Sequence, residues 1–316
     1  MKFLKTIFLT GLCCVIILSA CNENGKGNEK SNTNVMNVDL KKMKHIGSVD
    51  ERYQSYNVEM VEVVGGEFWK PYKMMDSLPS AEATTTYDIS QKNEQMYRKL
   101  APINLTDRRL LNLAKGLAPA YVRVSGTWAN ATYFQDDDKP AMAKAPTGFV
   151  NVMTRKQWKG VIDFINATNS KLVTSFAVSN RVRDANGVWT PKEAQKIADF
   201  TKRLGGSIVA AELFNEPTMP TAGGEMNKNY NAGNFAKDIA SFTNWARKET
   251  PNMLLLGPGS IGEGLSGISL ESMGMPFLST DAMMSAEPKP MFDVFSYHYY
   301  GAASMRMMQS GPFSIK

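Results

Sequence analysis

From about residue 52 onward, short apolar runs rich in β-branched residues alternate with amphipathic stretches of helical period, and this alternation constrains the fold more than any other feature of the chain. Strands are expected over residues 57–64, 120–124, 172–178, 208–214, 253–256 and 292–297. Helices are expected over residues 106–117, 154–167, 191–204 and 234–248. In the first of these Thr106 is the expected N-cap, and Leu110, Leu113, Ala114 and Leu117 share a face. In the second, Trp158, Ile162 and Ile165 do so. Pro191 opens the third in its first turn, and Gly205-Gly206 ends it. Gly65-Gly66 closes the first strand, and Gly257-Pro258-Gly259 is expected to stop the fifth. Strand, helix, strand without a run of hairpins predicts an α/β chain with a parallel sheet and right-handed crossovers.

Two parallel architectures compete. A doubly wound sheet usually carries a glycine-rich phosphate loop after an early strand, and Gly65-Gly66-Glu67 is no such fingerprint. A β/α barrel places polar and aromatic residues at the C-terminal end of strand after strand. Here the expected strand ends read Ser125-Gly126-Thr127-Trp128-Ala129-Asn130, Ser179-Asn180-Arg181, Asn215-Glu216, Ser260 and His298-Tyr299-Tyr300. The expectation is therefore an eight-stranded TIM-type barrel of which about six β/α units are present.

The first residues read as an address. Lys2 and Lys5 precede an apolar run over residues 6–18, too short to span a membrane, followed by Leu18-Ser19-Ala20-Cys21. That ending resembles a bacterial lipobox, which implies cleavage before Cys21 and acylation of it. Each buried CH₂ of an acyl chain adds about 0.8 kcal/mol to anchoring. Residues 1–20 are thus read as a lipoprotein signal peptide and residues 21–45 as a tether. Residues 22–34 hold no apolar side chain and cannot form a core. Residues 46–316 are read as the globular body, anchored in the bacterial cell envelope and facing the periplasm or the exterior. All three cysteines, Cys13, Cys14 and Cys21, fall in the address, so the body has no cysteine for a disulfide or a metal. With only His45 and His298, a classical zinc site is not expected, and no cofactor is. Most of the net charge of +6 lies before residue 45, so a nucleic-acid surface is not indicated.

The chemistry concentrates in Glu212-Leu213-Phe214-Asn215-Glu216-Pro217. Pro217 stops a strand, leaving Asn215 and Glu216 at its end. A partly desolvated carboxyl there is suited to protonating a leaving oxygen, and a neighbouring amide to holding a sugar hydroxyl. By spacing alone, a strand-end acid capping the next helix is an equal reading. With Tyr121-Val122-Arg123-Val124-Ser125-Gly126-Thr127 and Tyr297-His298-Tyr299-Tyr300, the stretch resembles glycoside hydrolase family 79, the heparanase and β-glucuronidase family, over Arg52 to Gly301. The Asn-Glu-Pro sequence by itself is shared across the wider clan. Phe214 and Ser125 depart from glycines of the animal enzymes.

The resemblance implies a retaining β-glycosidase of glucuronide-type bonds with Glu216 as general acid/base and Asn215 contacting the sugar. It implies that His298 and Tyr300 lie near the second carboxylate and position it, and that Glu59 and Thr127 line the pocket for the terminal sugar. The expected partner is an oligosaccharide or polysaccharide, with uronic acid preference coming from the resemblance alone. His298 is alternatively a satisfied strand-end histidine, the tyrosines are alternatively packing, and Trp128 is either a sugar platform or a lid over the core. The methionines, Met283-Met284, Met305, Met307 and Met308 among them, read as filler.

A retaining glycosidase needs a second carboxylate about 5–5.5 Å from the first. The family places it at the end of a seventh strand, which is not found in this chain, and the family's β-sandwich module is likewise not found. The 316 residues are therefore read as the front of a longer protein, with little turnover expected from them alone. Glu263, Glu271 and Glu287 are read as loop or helix acids, not nucleophiles. Two other classes remain. One is a non-catalytic glycan-binding surface lipoprotein. The other is a two-lobed solute-binding lipoprotein, which has no need of Asn-Glu-Pro or His-Tyr-Tyr at strand ends.

Overall fold

A computed structural model describes residues 39–74, 97–221, 226–261, 263 and 277–300. Cys21, the expected signal peptide and most of the tether, together with Glu271, Gly301, Met305, Met307 and Met308, lie outside the described residues. The chain divides into two compact units, Met1–Ser48 and Val49–Lys316. In the first, the described residues hold a short 3₁₀ turn, Leu40–Lys42. Among the described residues no helix is long and apolar enough to cross a membrane.

The second unit opens with β1 (Tyr56–Glu59), α1 (Met60–Val64) and β2 (Gly66–Trp69), then β3 (Tyr97–Leu100), α2 (Arg108–Gly116) and β4 (Ala120–Ser125). It continues with β5 (Thr132–Gln135), β6 (Asn151–Thr154), α3 (Arg155–Ala167), β7 (Ser170–Ser175) and α4 (Lys192–Arg203). The remainder is β8 (Ile208–Glu212), α5 (Ala232–Glu249), β9 (Leu254–Ile261), α6 (Thr280–Ser285) and β10 (Val294–His298). The main sheet has six strands in the order β1-β4-β7-β8-β9-β10, every pairing parallel. Six parallel strands in chain order make an arc of a β/α barrel wall.

The helices form one layer. The Trp158 indole of α3 donates to Thr201 Oγ1 of α4 at 2.7 Å, and the Trp245 indole of α5 donates to Gln195 Oε1 of α4 at 2.6 Å. α2 packs on α3, and α5 on α6. Consecutive helices in mutual contact lie on the same side of the sheet, which excludes the doubly wound alternative. Strand alternation follows. Val122, Val124, Leu172, Ala211 and Leu255 belong to the core, with Val58 packed against it. The opposite parity carries Asn57, Glu59, Arg123, Ser125, Ser175 and Glu212, a polar face unusual for strands of a parallel sheet.

Local chemistry explains the elements. Thr154 caps α3 by accepting from Gln157 N–H while Gln157 Oε1 accepts from Thr154 N–H, and Trp158, Val161, Ile162 and Ile165 bury one face. Asn231 and Asn234 cap α5 reciprocally. After α4, Gly205 takes φ +70 and its N–H returns to Lys202 O, closing the helix as expected.

Four local expectations are corrected. Residues 60–64 form a helix, not the second half of a strand, because Glu62 folds back to accept the Glu59 N–H at 3.0 Å and so opens a helical turn. The N-cap of α2 is Asp107, not Thr106: Asp107 Oδ1 accepts from Leu110 N–H, while Thr106 is held in an Asn104 turn. On that helix Leu113 and Leu117 face solvent, and Ala114 is the buried residue. β9 runs through Gly257-Pro258-Gly259, since the Phe292 ring occupies the space where a Gly257 side chain would stand and β10 shifts register at Ser296/Tyr297 opposite Pro258. Two small ladders were not anticipated, antiparallel β2–β3 and parallel β5–β6.

Candidate active site

The expected site residues Glu59, Thr127, Asn215, Glu216, His298 and Tyr300 all lie at or just beyond C-terminal ends of strands of the main sheet, or in the turn that follows one. Glu59 ends β1, His298 ends β10, and Thr127 opens the 3₁₀ turn Thr127–Ala131 after β4. Asn215 and Glu216 follow β8, whose regular pairing ends at Glu212, two residues short of the expected Phe214. Glu216 takes φ +57, one of two non-glycine residues with positive φ among those described. A non-glycine side chain in that region signals a backbone held by its surroundings.

What holds it is Asn130. This fully buried side chain donates from Nδ2 to Asn215 O at 3.0 Å and accepts from Asn215 N–H at 3.1 Å. Its own carbonyl accepts from the N–H groups of Val178 and Ser179. One residue thereby staples the segments after β4, β7 and β8 together. The Asn215 side chain is fixed too: Oδ1 accepts from Arg123 Nη2 at 2.8 Å, and Nδ2 approaches Thr127 Oγ1 at 3.4 Å.

His298 and Tyr300 both lie within reach of Glu216. His298 Nδ1 is 3.1 Å and the Tyr300 hydroxyl 3.5 Å from Glu216 Oε1. The reason is topological: β8 and β10 flank β9 in the parallel sheet, so their C-terminal ends open on the same edge, two strands apart. His298 Nε2 lies 3.3 Å from Glu212 Oε1, and Glu212 Oε2 receives Arg123 Nη2 at 2.6 Å. Arg123 Nη1 donates to Asn57 Oδ1 at 2.9 Å, and Asn57 Nδ2 donates to Glu59 Oε1 at 3.0 Å. A continuous polar chain thus runs from β1 to β10 across the sheet.

Its electrostatics follow from burial and charge. Burial raises the Glu59 carboxyl to about 7 against the Arg123 charge, with the Glu216 and Glu62 carboxylates adding to the rise. Burial also opposes ionisation of Glu212, but hydrogen bonding from His298 and the Arg123 charge outweigh it and hold the group well below the usual carboxylate range. For His298, burial disfavours the cation, and hydrogen bonds to Glu212 and Glu216 overcome this, raising it to about 9. Burial, reinforced by the charges of Glu216 and Glu59, raises the Tyr300 phenol.

Gly126, at φ +97, lies against the Glu59 carboxylate so closely that any Cβ would overlap it. Trp128 is buried, with Phe68 and Trp69 packed on it, and so is a core residue and not an exposed platform. Phe214 is buried against Tyr230, and Ser125 bonds Ser175. Of the tyrosine cluster, Tyr297 exchanges hydrogen bonds with the Glu263 backbone, and Tyr299 is exposed. The Glu263 carboxylate is spent on Thr280, accepting from its N–H and its hydroxyl. Glu287 Oε2 accepts the Lys289 N–H at the surface. Among the described residues no group of three or more His, Asp or Glu is arranged to hold a metal ion.

Sequence reading missed Asn57, Arg123, Asn130 and Glu212 as site residues. A signal existed for two of them: Arg123 and Glu212 are charged residues set inside otherwise apolar strands, Val122-Arg123-Val124 and Ala211-Glu212-Leu213, and a charge in such a place needs a partner.

No protein-family model matches the chain, and no curated protein matches it significantly. Among solved structures, it is similar to the hyperthermostable endo-1,4-β-D-mannanase from Thermotoga petrophila RKU-1 with maltose and glycerol. The two are 14% identical with a TM-score of 0.34, over 75% of this chain and 66% of that one. The chain thus spans a little under two thirds of that protein's length.

Proposed function

We propose that the chain carries the acid/base part of a retaining β-glycosidase acting on glucuronide-type bonds, with Glu216 as general acid/base. One observation carries this reading: the Glu216 carboxyl stands at the C-terminal end of a parallel sheet, on a positive-φ backbone, within hydrogen-bond reach of an imidazole and a phenol. Carboxyls at this end of a β/α sheet face the catalytic mouth. Glu216 protonates the glycosidic oxygen in the first step and takes a proton from water in the second.

The surrounding groups suit a saccharide. Asn215 Nδ2 has two hydrogens and spends at most one on Thr127, leaving the other for a sugar hydroxyl. Glu59, raised to about 7, offers an O–H donor below neutrality to a hydroxyl or to a uronate carboxylate. The second carboxylate is proposed to come from a strand beside β10. In the same proposal Cys21 carries the lipid that holds the protein at the envelope membrane.

A chromogenic β-glucuronide tests the reading, with β-mannoside and β-glucoside as comparison substrates. The full-length protein is expected to hydrolyse the glucuronide, and Glu216→Gln to lower the rate by about 10²–10⁴. Equal activity in that variant overturns the acid assignment. The alternative, a non-catalytic glycan-binding lipoprotein, uses the same polar face; it is favoured by saturable binding of a glucuronide oligosaccharide without turnover.

A further inference from the structure

We propose that Glu212, His298 and Glu216 form a carboxylate–imidazole–carboxylate relay in which His298 stores the proton that Glu216 delivers, while Glu212 is the positioning residue that fixes the imidazole. This rests on the reading of Glu216 as acid/base.

The geometry allots the hydrogens. Each ring nitrogen of His298 faces one carboxylate oxygen, Nε2 that of Glu212 at 3.3 Å and Nδ1 that of Glu216 at 3.1 Å. Arg123 Nη2 also lies 3.4 Å from Nε2. Its two hydrogens, however, go to Glu212 Oε2 at 2.6 Å and Asn215 Oδ1 at 2.8 Å. None remains for the imidazole, so Nε2 bears its own hydrogen and donates it to Glu212. That bond is present whether the ring is charged or neutral, as in other sites where a buried carboxylate sets a histidine tautomer. The mobile proton therefore sits on the axis between Nδ1 and Glu216 Oε1.

The charged and titratable groups around the ring come from four elements. They are Glu212 of β8 and Glu216 beyond it, Arg123 of β4, Tyr300 beyond β10, and Glu59 of β1 acting on Glu216 by charge. Against burial and the Arg123 charge, the two carboxylates on the ring favour the cation in the free protein. A saccharide covering Glu216 removes water from it and disfavours the carboxylate. The Nδ1 proton then passes to Oε1, leaving a neutral imidazole still bound to Glu212 through Nε2–H. Glu216 next gives that proton to the glycosidic oxygen. When water attacks in the second step, Glu216 takes its proton and returns it to Nδ1. The count closes over the cycle with no other donor.

Histidine-selective ¹⁵N NMR of the full chain tests this, because His45 and His298 are the only histidines and a His45→Gln variant identifies the His298 signals. The expected wild-type result is a His298 ring protonated on both nitrogens at neutral pH, with a midpoint well above neutrality. Glu216→Gln is expected to lower that midpoint by about one to three pH units and to leave an Nε2–H neutral tautomer. Glu212→Gln is expected to lower it similarly and to mix the tautomers, an outcome a purely structural role of Glu212 does not produce. A neutral wild-type ring at neutral pH, or a midpoint that Glu216→Gln leaves in place, overturns the relay. If Glu212→Gln does not fold, the Glu216→Gln titration decides by itself. The relay and the glycosidase reading fail separately. Hydrolysis with a neutral His298 removes the relay only, whereas the expected titrations without hydrolysis of any glycoside remove the glycosidase reading only.

Discussion

Arg123 and Glu212 stand on strands separated by β7, and their side chains meet across it, Nη2 to Oε2, at 2.6 Å. The Glu212 side chain is almost fully buried, at 4% exposure, and Arg123 is mostly covered, at 22%. Removing one member leaves the other's charge in a desolvated place. Glu212→Ala is expected to cost about 3–5 kcal/mol of stability, read by chemical denaturation. Arg123→Lys is expected to retain the pairing with Glu212 and lose the bond to Asn57, because an ammonium cannot span the fork of a guanidinium. A thermal midpoint for Arg123→Lys below that of Glu212→Ala contradicts this.

The same groups set the pH dependence of stability. Glu212 has a depressed folded value, so its contribution is complete above its ordinary value of 4.5 and is lost as pH falls through the folded value. His298 is raised from 6.5 to about 9, so its contribution is complete below 6.5 and is lost as pH rises through about 9. Glu59 is raised from 4.5 to about 7, so stability declines between those values as a buried carboxylate is forced to ionise. Maximal stability is therefore expected near pH 4.5, with a decline toward higher pH that Glu59 begins and His298 extends. Scanning calorimetry across pH 3–10 measures it, and Glu59→Gln is expected to flatten the decline from pH 4.5 to 6.5, below the range in which His298 contributes. A maximum above pH 8 counts against these assignments.

A second buried cluster joins the segment after β7 to the segment after β8. Asp238 of α5, 1% exposed, receives Arg183 at 2.8 Å, the Trp189 N–H at 2.8 Å and the Tyr230 hydroxyl at 2.7 Å. These bonds tie the segment after β7 to the helix after β8. Asp238→Ala strands the Arg183 guanidinium and is expected to cost about 3–5 kcal/mol. Urea denaturation reads the loss, and a change under about 1 kcal/mol shows that the cluster is dispensable.

Gly126 combines a positive φ with contact against the Glu59 carboxylate. Gly126→Ala is expected to lose about 1–3 kcal/mol and to displace Glu59 from the polar chain. Thermal unfolding reports the first effect. The second appears as loss of the Glu59-dependent slope between pH 4.5 and 6.5, and an unchanged slope means that Glu59 keeps its place.

Much of the architecture was legible because parallel β/α units are encoded locally. Trp158, Ile162 and Ile165 mark one face of α3 by spacing alone, and Gly205 marks the end of α4 by what its backbone permits, whereas β8 ends at Glu212, before Pro217. Local pattern misled where a neighbour supplied the missing reason. Gly257-Pro258-Gly259 reads as a stop until Phe292 is seen against Gly257. Residues 60–64 read as strand until Glu62 turns back on the Glu59 N–H. Trp128 is equally platform or core until Phe68 and Trp69 cover it.

By itself the sequence determined the order of the strands, the single layer of helices that their connections allow, and the placement of Asn215 and Glu216 at a strand end. Periodicity and turn chemistry act over a few residues, and short connections carry that order into space. Tertiary structure alone decided that Arg123 meets Glu212 over a separation of 89 residues, and that His298 bridges Glu212 and Glu216. Such contacts depend on strand register and on the curl of the sheet, which arise from the packing of all six strands together and leave no trace in any short stretch of chain.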